Sequence, residues 1–167
     1  QRWVTSFSNF EQTWRKSNYW GIVITQPGAI PKTAKVDEWL KSAYSLEQVG
    51  QVAAAKSAYL AATEKWPDKA ETWLSLTNLQ YRLHQYQAAQ SVIEKMLPDF
   101  RSVADVWNNY AYILRANGCI KASVEAAKCG LSHAPENQNL KDTLTEMKRQ
   151  NKASNHEQDC PVINCFH

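Results

Sequence analysis

The sequence predicts an all-α fold in which three helical hairpins stack into a right-handed solenoid with a C-terminal capping helix, preceded by a short strand-helix-strand segment. Two observations carry this prediction. Trp39, Trp73 and Trp107 recur at a spacing of 34 residues, and each opens a stretch in which apolar residues recur at intervals of three and four. A fixed period of about 20 to 50 residues indicates a repeat architecture, and the helical apolar pattern indicates that each repeat is built from helices.

Composition limits what the chain can be. Its 167 residues are 44% apolar and 21% charged, which is enough for one modest core with short additions. Residues 1–33 carry four basic residues and one acidic residue, which accounts for the whole net charge of +3. The neutral remainder lacks the basic surface that binding of nucleic acid or anionic membrane requires. The apolar stretch Ile22–Ile24 is far shorter than the roughly 20 residues of a membrane span, so we expect no span and no nucleic acid partner.

The N-terminal segment, residues 1–33, has a pattern different from the repeats. QRWVTSF and NYWGIVIT alternate or run apolar as strands do, NFEQTWRK lies between them, and the turn sequence QPGAIP follows. The segment is too short to be a domain, and its aromatic side chains need a surface to bury against. These side chains are Trp3, Phe7, Phe10, Trp14, Tyr19 and Trp20. The segment is predicted either to cap the repeats or to pair with a second copy of the chain.

The solenoid is predicted over residues 34–150, with repeats at 36–69, 70–103 and 104–137. The 34-residue spacing aligns small residues in both helices of a repeat, a turn residue between them and a further residue in the second helix. The aligned sets are Ala43, Thr77 and Ala111; Gly50, His84 and Gly118; Ala55, Ala89 and Ser123; and Tyr59, Ile93 and Ala127. Small residues let two helices approach closely. The turn residues are expected to adopt a left-handed conformation, which Gly favours and His84 tolerates.

This order of Trp, small residue, turn Gly, Ala, aromatic and closing Pro resembles the tetratricopeptide repeat (TPR) family over about 100 residues. Pro67 and Pro135 close repeats one and three, whereas Arg101 stands where the Pro of repeat two is expected and Pro98 lies three residues earlier. We therefore expect an irregular junction after repeat two. The resemblance implies a scaffold that binds a protein or peptide, without a cofactor and without a complete catalytic site in these residues.

The family resemblance also places a binding groove on the first helix of each repeat. The residues predicted to bind the partner are Leu40, Tyr44, Leu74, Asn78, Tyr81, Arg82, Asn108, Tyr112 and Arg115. The other inward-facing positions are Asp37, Glu47, Gln48, Glu71, Asp105 and Ala116. Tyrosine anchors among amide and charged groups are typical of recognition surfaces. TPR proteins that hold chaperone C-termini place Lys, Asn and Lys where this chain has Leu40, Tyr44 and Asp105, which disfavours a chaperone-tail receptor.

The chain after the repeats is predicted to contain one more helix. Residues 138–150 place Leu140, Leu144 and Met147 on one face of an otherwise polar helix, which is typical of a solubilising cap. Residues 151–167 are predicted to be a flexible tail, because residues 151 to 159 are polar and lie beyond the last repeat.

The four cysteines and four histidines could form a metal site, a reactive thiol or disulfides. Cys129 and His133 lie four residues apart in a helix with Cys119 nearby, which raises a metal or thiol site. Two ligands do not make a zinc site, and buried Cys commonly acts as a small hydrophobe, so we predict no metal. Cys160 and Cys165 lack the spacing of a zinc knuckle. They are predicted to form a short disulfide loop in an oxidising compartment or to stay free thiols in a reducing one.

The N-terminal segment carries a second resemblance. Its order of strand, Phe–xxx–Trp helix, Tyr19-Trp20-Gly-Ile-Val-Ile and Pro-Gly-x-x-Pro turn resembles the closing part of bacterial bacteriocin-processing-type, papain-like cysteine peptidases that carry C-terminal TPRs. This implies that the chain is the accessory part of a larger bacterial peptidase whose catalytic Cys, His and Asp lie upstream of Gln1. The implied location is the cell envelope or periplasm. The alternatives are a homo-oligomeriser through this segment, which would give a weak dimer, and the metal or thiol site above.

Overall fold

The computed structural model of the chain describes residues 30, 32–151 and 160–165. Within these ranges the order of elements is α1 (Val36–Gln48), α2 (Val52–Lys65), α3 (Ala70–Arg82), α4 (Tyr86–Phe100), α5 (Ala104–Ala116), α6 (Ile120–His133) and α7 (Gln138–Asn151). The first six helices form one hairpin for each predicted repeat, and α7 is the predicted cap. The predicted all-α solenoid is confirmed. No helix in the described ranges is long and apolar enough to cross a bilayer.

The strand-helix-strand prediction for residues 1–33 falls almost wholly outside the described residues. The same holds for the peptidase resemblance and for the dimer hypothesis, because both depend on that segment. These three remain predictions from the sequence.

The turn inside each hairpin has the same backbone geometry. Gly50, His84 and Gly118 have φ angles of 78°, 57° and 86°, so His84 adopts the left-handed conformation predicted for it. The N–H of the residue after each turn residue donates to the carbonyl five residues earlier, at 2.9, 2.9 and 2.8 Å. This bond satisfies a carbonyl that the end of a helix leaves without a partner. The 34-residue register therefore fixes where the first helix of every repeat ends.

The repeated Trp residues connect each repeat to its surroundings through the indole N–H. Trp73 and Trp107 donate to carbonyls six residues earlier, those of Pro67 at 2.9 Å and Arg101 at 2.6 Å. Trp39 instead donates to the Ala58 carbonyl in α2 at 2.8 Å. Trp107 is fully buried, whereas Trp39 and Trp73 are partly buried. The three residues thus serve packing, as the repeat pattern predicts, and the best-buried one lies in repeat three.

The core is unevenly distributed along the solenoid. A large cluster joins repeats two and three to α7, and it includes Ile93, Trp107 and Leu140, which are all fully buried. A smaller cluster, which includes Ala55 and Tyr59 of repeat one and Leu76 of repeat two, joins these two repeats. In α7, Leu140 and Met147 are buried and the helix begins where the Asn137 side chain accepts a hydrogen bond from the Leu140 N–H at 3.0 Å. The C-terminal half therefore has more buried apolar surface to hold it together.

The irregularity predicted after repeat two is limited to the end of α4, because the junction keeps the bond from the Val103 N–H to the Phe100 carbonyl, 3.0 Å, that is equivalent to the bond from Lys69 to Trp66, 3.1 Å. Helix α4 contains Pro98 and runs on to Phe100, which makes it one residue longer than α2 and α6. A Pro inside a helix removes one N–H donor and crowds the preceding turn. Pro98 lies two residues before the last residue of α4, so the helix continues past it for less than one turn.

Residues 160–165, here called the strap, are bonded to repeat three by two disulfides. Cys160 pairs with Cys119, the residue that precedes α6, and Cys165 pairs with Cys129 inside α6. Ten residues of helix rise about 15 Å, and five residues of extended chain span at most about 18 Å. The strap must therefore run nearly extended and in the same direction as α6.

This pairing corrects two predictions. Cys160 and Cys165 neither bond to each other nor stay free, because each lies beside a buried cysteine of repeat three. The flexible tail predicted for residues 151–167 does not hold for the strap, whose Ile163 also packs against the core. Since the bonded residues are 41 and 36 positions apart, no local spacing in the sequence reveals them.

Candidate functional site

The first helices of the repeats form one continuous layer. Helix α1 contacts α3, α3 contacts α5, and α5 contacts α7, so the cap extends the layer by one helix. The residues predicted to bind a partner lie on α1, α3 and α5. Their common surface is called the groove below.

A pocket of about 280 Å³ lies between α3 and α5. It is lined by Asn78, Tyr81, Asn109, Tyr112, Ile113 and Arg115. Four of these are residues that the sequence predicts for the groove, and they come from two neighbouring repeats. Ile113 is only 1% exposed and lies at the base of the pocket, while Tyr81 and Tyr112 are half-buried. The groove therefore has an apolar floor between two tyrosines.

The two lining asparagines are bonded to each other. Asn109 Nδ2 donates to Asn78 Oδ1 at 2.9 Å. An amide side chain offers two donor hydrogens and two acceptor lone pairs, so this bond leaves both N–H hydrogens of Asn78 and the carbonyl oxygen of Asn109 available to a ligand. The pair therefore presents a donor group, the Asn78 NH2, beside an acceptor group, the Asn109 carbonyl.

At the repeat-one end of the groove, an ion pair joins two repeats. The Arg82 guanidinium donates to both carboxylate oxygens of Glu47, from Nε at 2.7 Å and from Nη2 at 2.8 Å. Tyr59 in α2 adds a weaker bond to the same carboxylate at 3.4 Å. Burial, and next the Glu47 charge, raise the pKa of Tyr59 to about 12. Arg82 is thus neutralised by the preceding repeat.

A second ion pair closes the other end of the groove. The Arg115 guanidinium pairs with the Glu146 carboxylate of α7, and the same carboxylate accepts the Tyr112 hydroxyl at 2.9 Å. The guanidinium also lies over the Tyr112 ring, 5.3 Å from its centre. The two arginines predicted for partner binding are therefore both held by carboxylates of neighbouring helices.

The remaining predicted residues have different surroundings. Tyr44 is 51% exposed and is the most accessible tyrosine of the predicted set. Leu40 and Leu74 are half-buried against the two core clusters. Asn108 accepts a hydrogen bond from Thr143 of α7 at 2.7 Å, so it contacts the cap rather than the pocket. A binding role for the whole set stays a prediction, although the structure brings four of its members together.

Sequence reasoning missed three residues of the groove, Asn109, Ile113 and Glu146. Asn109 follows Asn108 in α5, and the helix turns Asn109 rather than Asn108 towards Asn78. Glu146 lies in the register position of Tyr44, Asn78 and Tyr112, 34 residues after Tyr112. Continuing the 34-residue spacing into the cap would have found it.

The alternative of a metal or thiol site at Cys119, Cys129 and His133 is wrong. Both sulfurs are bonded in disulfides, so neither is available as a thiolate. His133 instead stacks on Trp107, with ring centres 6.4 Å apart. The described residues contain no group of three or more His, Cys, Asp or Glu that could hold a metal ion.

Comparison with known proteins defines the class. No protein-family model and no curated protein matches the chain. Among solved structures, the first TPR of Spaghetti (RPAP3) bound to the HSP90 peptide SRMEEVD is 13% identical with a TM-score of 0.62, over 71% of this chain and 94% of that one. The Arabidopsis OM64 TPR domain is 12% identical with a TM-score of 0.60, over 69% and 95%. MamA MSR-1 is 14% identical with a TM-score of 0.56, over 75% and 72%. Similarity at these identities establishes the fold, and the chain has the TPR fold.

Proposed function

We propose that this chain is a protein-interaction module that binds a segment of another protein in the groove. The observation that carries the proposal is the pocket between Tyr81 and Tyr112, which combines an apolar floor with an accessible asparagine pair. Binding sites are typically apolar concavities with a few well-placed polar groups. The solved TPR domain bound to an HSP90 peptide has the same fold, which supports this use of the groove.

A selection experiment tests the proposal. Peptides selected from a displayed heptapeptide library on the purified 167-residue chain would be measured by calorimetry against variants of the pocket. Asn78→Ala and Tyr81→Ala are each expected to weaken binding by about tenfold or more, since residues of this kind often dominate an interface. Gln87→Ala, an exposed amide on the second helix of the same repeat, is the matched control. Failure to select any peptide, or equal binding by all four proteins, would contradict a groove site.

The second part of the proposal concerns the compartment in which the protein works, and it rests on the cysteines. We infer that the module works where disulfides persist, because all four cysteines are paired and none is free. Such pairing is typical of secreted, periplasmic and endoplasmic-reticulum proteins. The link to a papain-like peptidase rests on residues 1–33 and stays a prediction.

Peptide mapping without reduction tests the pairing on protein produced in an oxidising compartment. Trypsin is expected to release one complex of three peptides, because the strap lies in a single fragment. The fragments span residues 116–121, 129–141 and 153–167. Fragmentation between Val162 and Ile163 would then separate the two bonds of the strap. A 153–167 peptide carrying its own Cys160–Cys165 loop, or free thiols in this preparation, would contradict the proposed pairing.

A further inference from the structure

The charges of the groove restrict what kind of segment it can hold. The Glu47 carboxylate, whose side chain is only 10% exposed, accepts two hydrogen bonds from the Arg82 guanidinium. The Glu146 carboxylate forms an ion pair with Arg115 and accepts a hydrogen bond from the Tyr112 hydroxyl. Two-point pairs between guanidinium and carboxylate are among the strongest hydrogen-bonded contacts in proteins. The two carboxylates neutralise the charges of both guanidinium groups, so these arginines offer an acidic ligand no net positive charge.

The asparagine pair complements an uncharged backbone instead. The donor left on Asn78 and the acceptor left on Asn109 match the carbonyl and the N–H of an extended peptide. In an extended chain successive side chains point to opposite sides. A peptide held by this pair would therefore direct one side chain into the groove and its neighbours away from it.

The pocket accommodates that side chain. Its volume of about 280 Å³ lies just below the range of sites for small molecules, roughly 300 to 1,000 Å³. Tyr81 and Tyr112 flank it and Ile113 closes its base. These surfaces favour a large apolar or aromatic side chain, because burying a charged one without a partner is costly.

We propose that the ligand is an uncharged, extended, internal segment of a protein, held by Asn78 and Asn109 and anchored by one large apolar side chain between Tyr81 and Tyr112. The inference rests on the proposed function and specifies the ligand of the same groove. It separates this module from one that recognises an acidic C-terminus. Because no net charge is neutralised on binding, the affinity is expected to depend little on salt.

Defined peptides test the inference. The probes are Ser-Gly heptapeptides with a central Phe, Leu, Lys or Asp, acetylated and amidated at their ends, and a Phe peptide with a free C-terminal carboxylate beside the Phe. The full chain is expected to bind the capped Phe and Leu peptides at least about tenfold more tightly than the other three. Between 50 and 500 mM salt, the dissociation constant for the capped Phe peptide is expected to change by less than about twofold.

A variant that frees Arg115 should allow the groove to bind a carboxylate, and it gives the sharpest comparison with the wild type. Glu146→Gln keeps an acceptor for Tyr112 but frees Arg115, so the free-carboxylate peptide is expected to gain about tenfold in affinity while the capped Phe peptide changes little. Glu136→Gln removes a carboxylate whose side chain is 95% exposed and is the control.

The outcomes separate the two proposals. Preference of the wild-type chain for the Asp or free-carboxylate peptide would overturn this inference and leave the groove as a binding site. No gain for the free-carboxylate peptide in the folded Glu146→Gln variant would overturn the role given to Glu146. Binding of none of these probes or of library peptides would overturn the proposed function itself.

Discussion

Arg82 in the second repeat holds both carboxylate oxygens of Glu47 in the first, with its Nη2 2.6 Å from the nearer oxygen. The two residues are 35 positions apart, so the contact joins the first helices of neighbouring repeats. Arg82 is 48% exposed in its side chain while Glu47 is 10% exposed. The pair therefore lies between a surface ion pair and a buried one.

A double-mutant cycle measures the strength of this contact. Glu47→Gln, Arg82→Gln and the double variant would be unfolded in urea, and the coupling free energy is expected to be about 1 kcal/mol. That value is at the upper end for exposed pairs, because one partner is largely buried and the geometry is two-pointed. A coupling indistinguishable from zero would show that the pair does not hold repeats one and two together.

Gly130 in α6 marks a close approach of three helices. A Cβ placed there would lie 2.8 Å from a methyl carbon of Leu140 and 2.8 Å from the Cβ of Trp107. Gly130→Ala is therefore expected to destabilise the chain by about 1 to 2 kcal/mol, because overpacking outweighs the gain of about 1 kcal/mol from helix propensity. Urea unfolding measures the change. Stabilisation by the full propensity gain would mean that the helices are not this close.

The raised pKa of Tyr59 leads us to expect that the folded chain loses stability at alkaline pH. Its pKa is raised from 10.0 to about 12, first by burial and then by Glu47. The unfolded chain releases this proton near pH 10 and the folded chain near pH 12. The contribution of Tyr59 is therefore fully present below pH 10 and is lost as the pH rises through 12.

The measurement is the free energy of unfolding at several pH values between 9 and 12. Tyr59→Phe is expected to show a shallower decline than the wild type over the upper part of this range. Tyr81→Phe, which removes a phenol that does not contribute to the Tyr59 shift, serves as the control. A decline as shallow as that of Tyr59→Phe would show that the effect is not specific to Tyr59. Parallel curves for the wild type and Tyr59→Phe would contradict the raised pKa.

We expect the stability of the folded chain to depend strongly on the two disulfides of the strap. Closing a loop of about 40 residues stabilises a chain by roughly 4 kcal/mol in the chain-entropy model, and the second bond then closes a loop of about 15 residues worth roughly 3 kcal/mol. Cys160→Ala with Cys165→Ala removes both bonds at their half-buried ends. The melting temperature is expected to fall by about 10 °C or more.

Reduction provides the control for that prediction. Reductant should lower the melting temperature of the wild type towards that of the double variant and leave the double variant unchanged. A double variant as stable as the oxidised wild type would show that the strap contributes nothing to the fold.

The periodic part of the fold was predictable from the sequence, because each repeat satisfies the same local physics. Trp107 and its two equivalents fixed the register, and His84 could be assigned to a left-handed turn because it occupied the place of a Gly. The strap was not predictable. Cys119 and Cys160 are 41 positions apart with α6 and α7 between them, so their pairing depends on tertiary packing and not on a local spacing in the sequence.

The candidate site was predictable in part for a related reason. Asn78, Tyr81, Tyr112 and Arg115 sit at register positions that the repeat orients, so they converge on the pocket. The ion pair of Arg115 was missed because Glu146 belongs to the cap, one 34-residue step beyond the three assigned repeats. The repeat register therefore predicted four residues that line one pocket, whereas the ion pairs of the two arginines are seen only in the packed structure.

The two disulfides of the strap also affect which end of the solenoid unfolds first. In a repeat protein each unit is stabilised mainly by its neighbours, so an end can open before the middle does. Repeat three is bonded covalently to the strap and shares the large core cluster with repeat two and α7. Within the described residues, repeat one is joined to repeat two by the smaller cluster and the Arg82–Glu47 ion pair. Amide hydrogens should therefore exchange fastest in α1 and α2 and slowest in α6, and a pulling force should peel the chain from its first repeat.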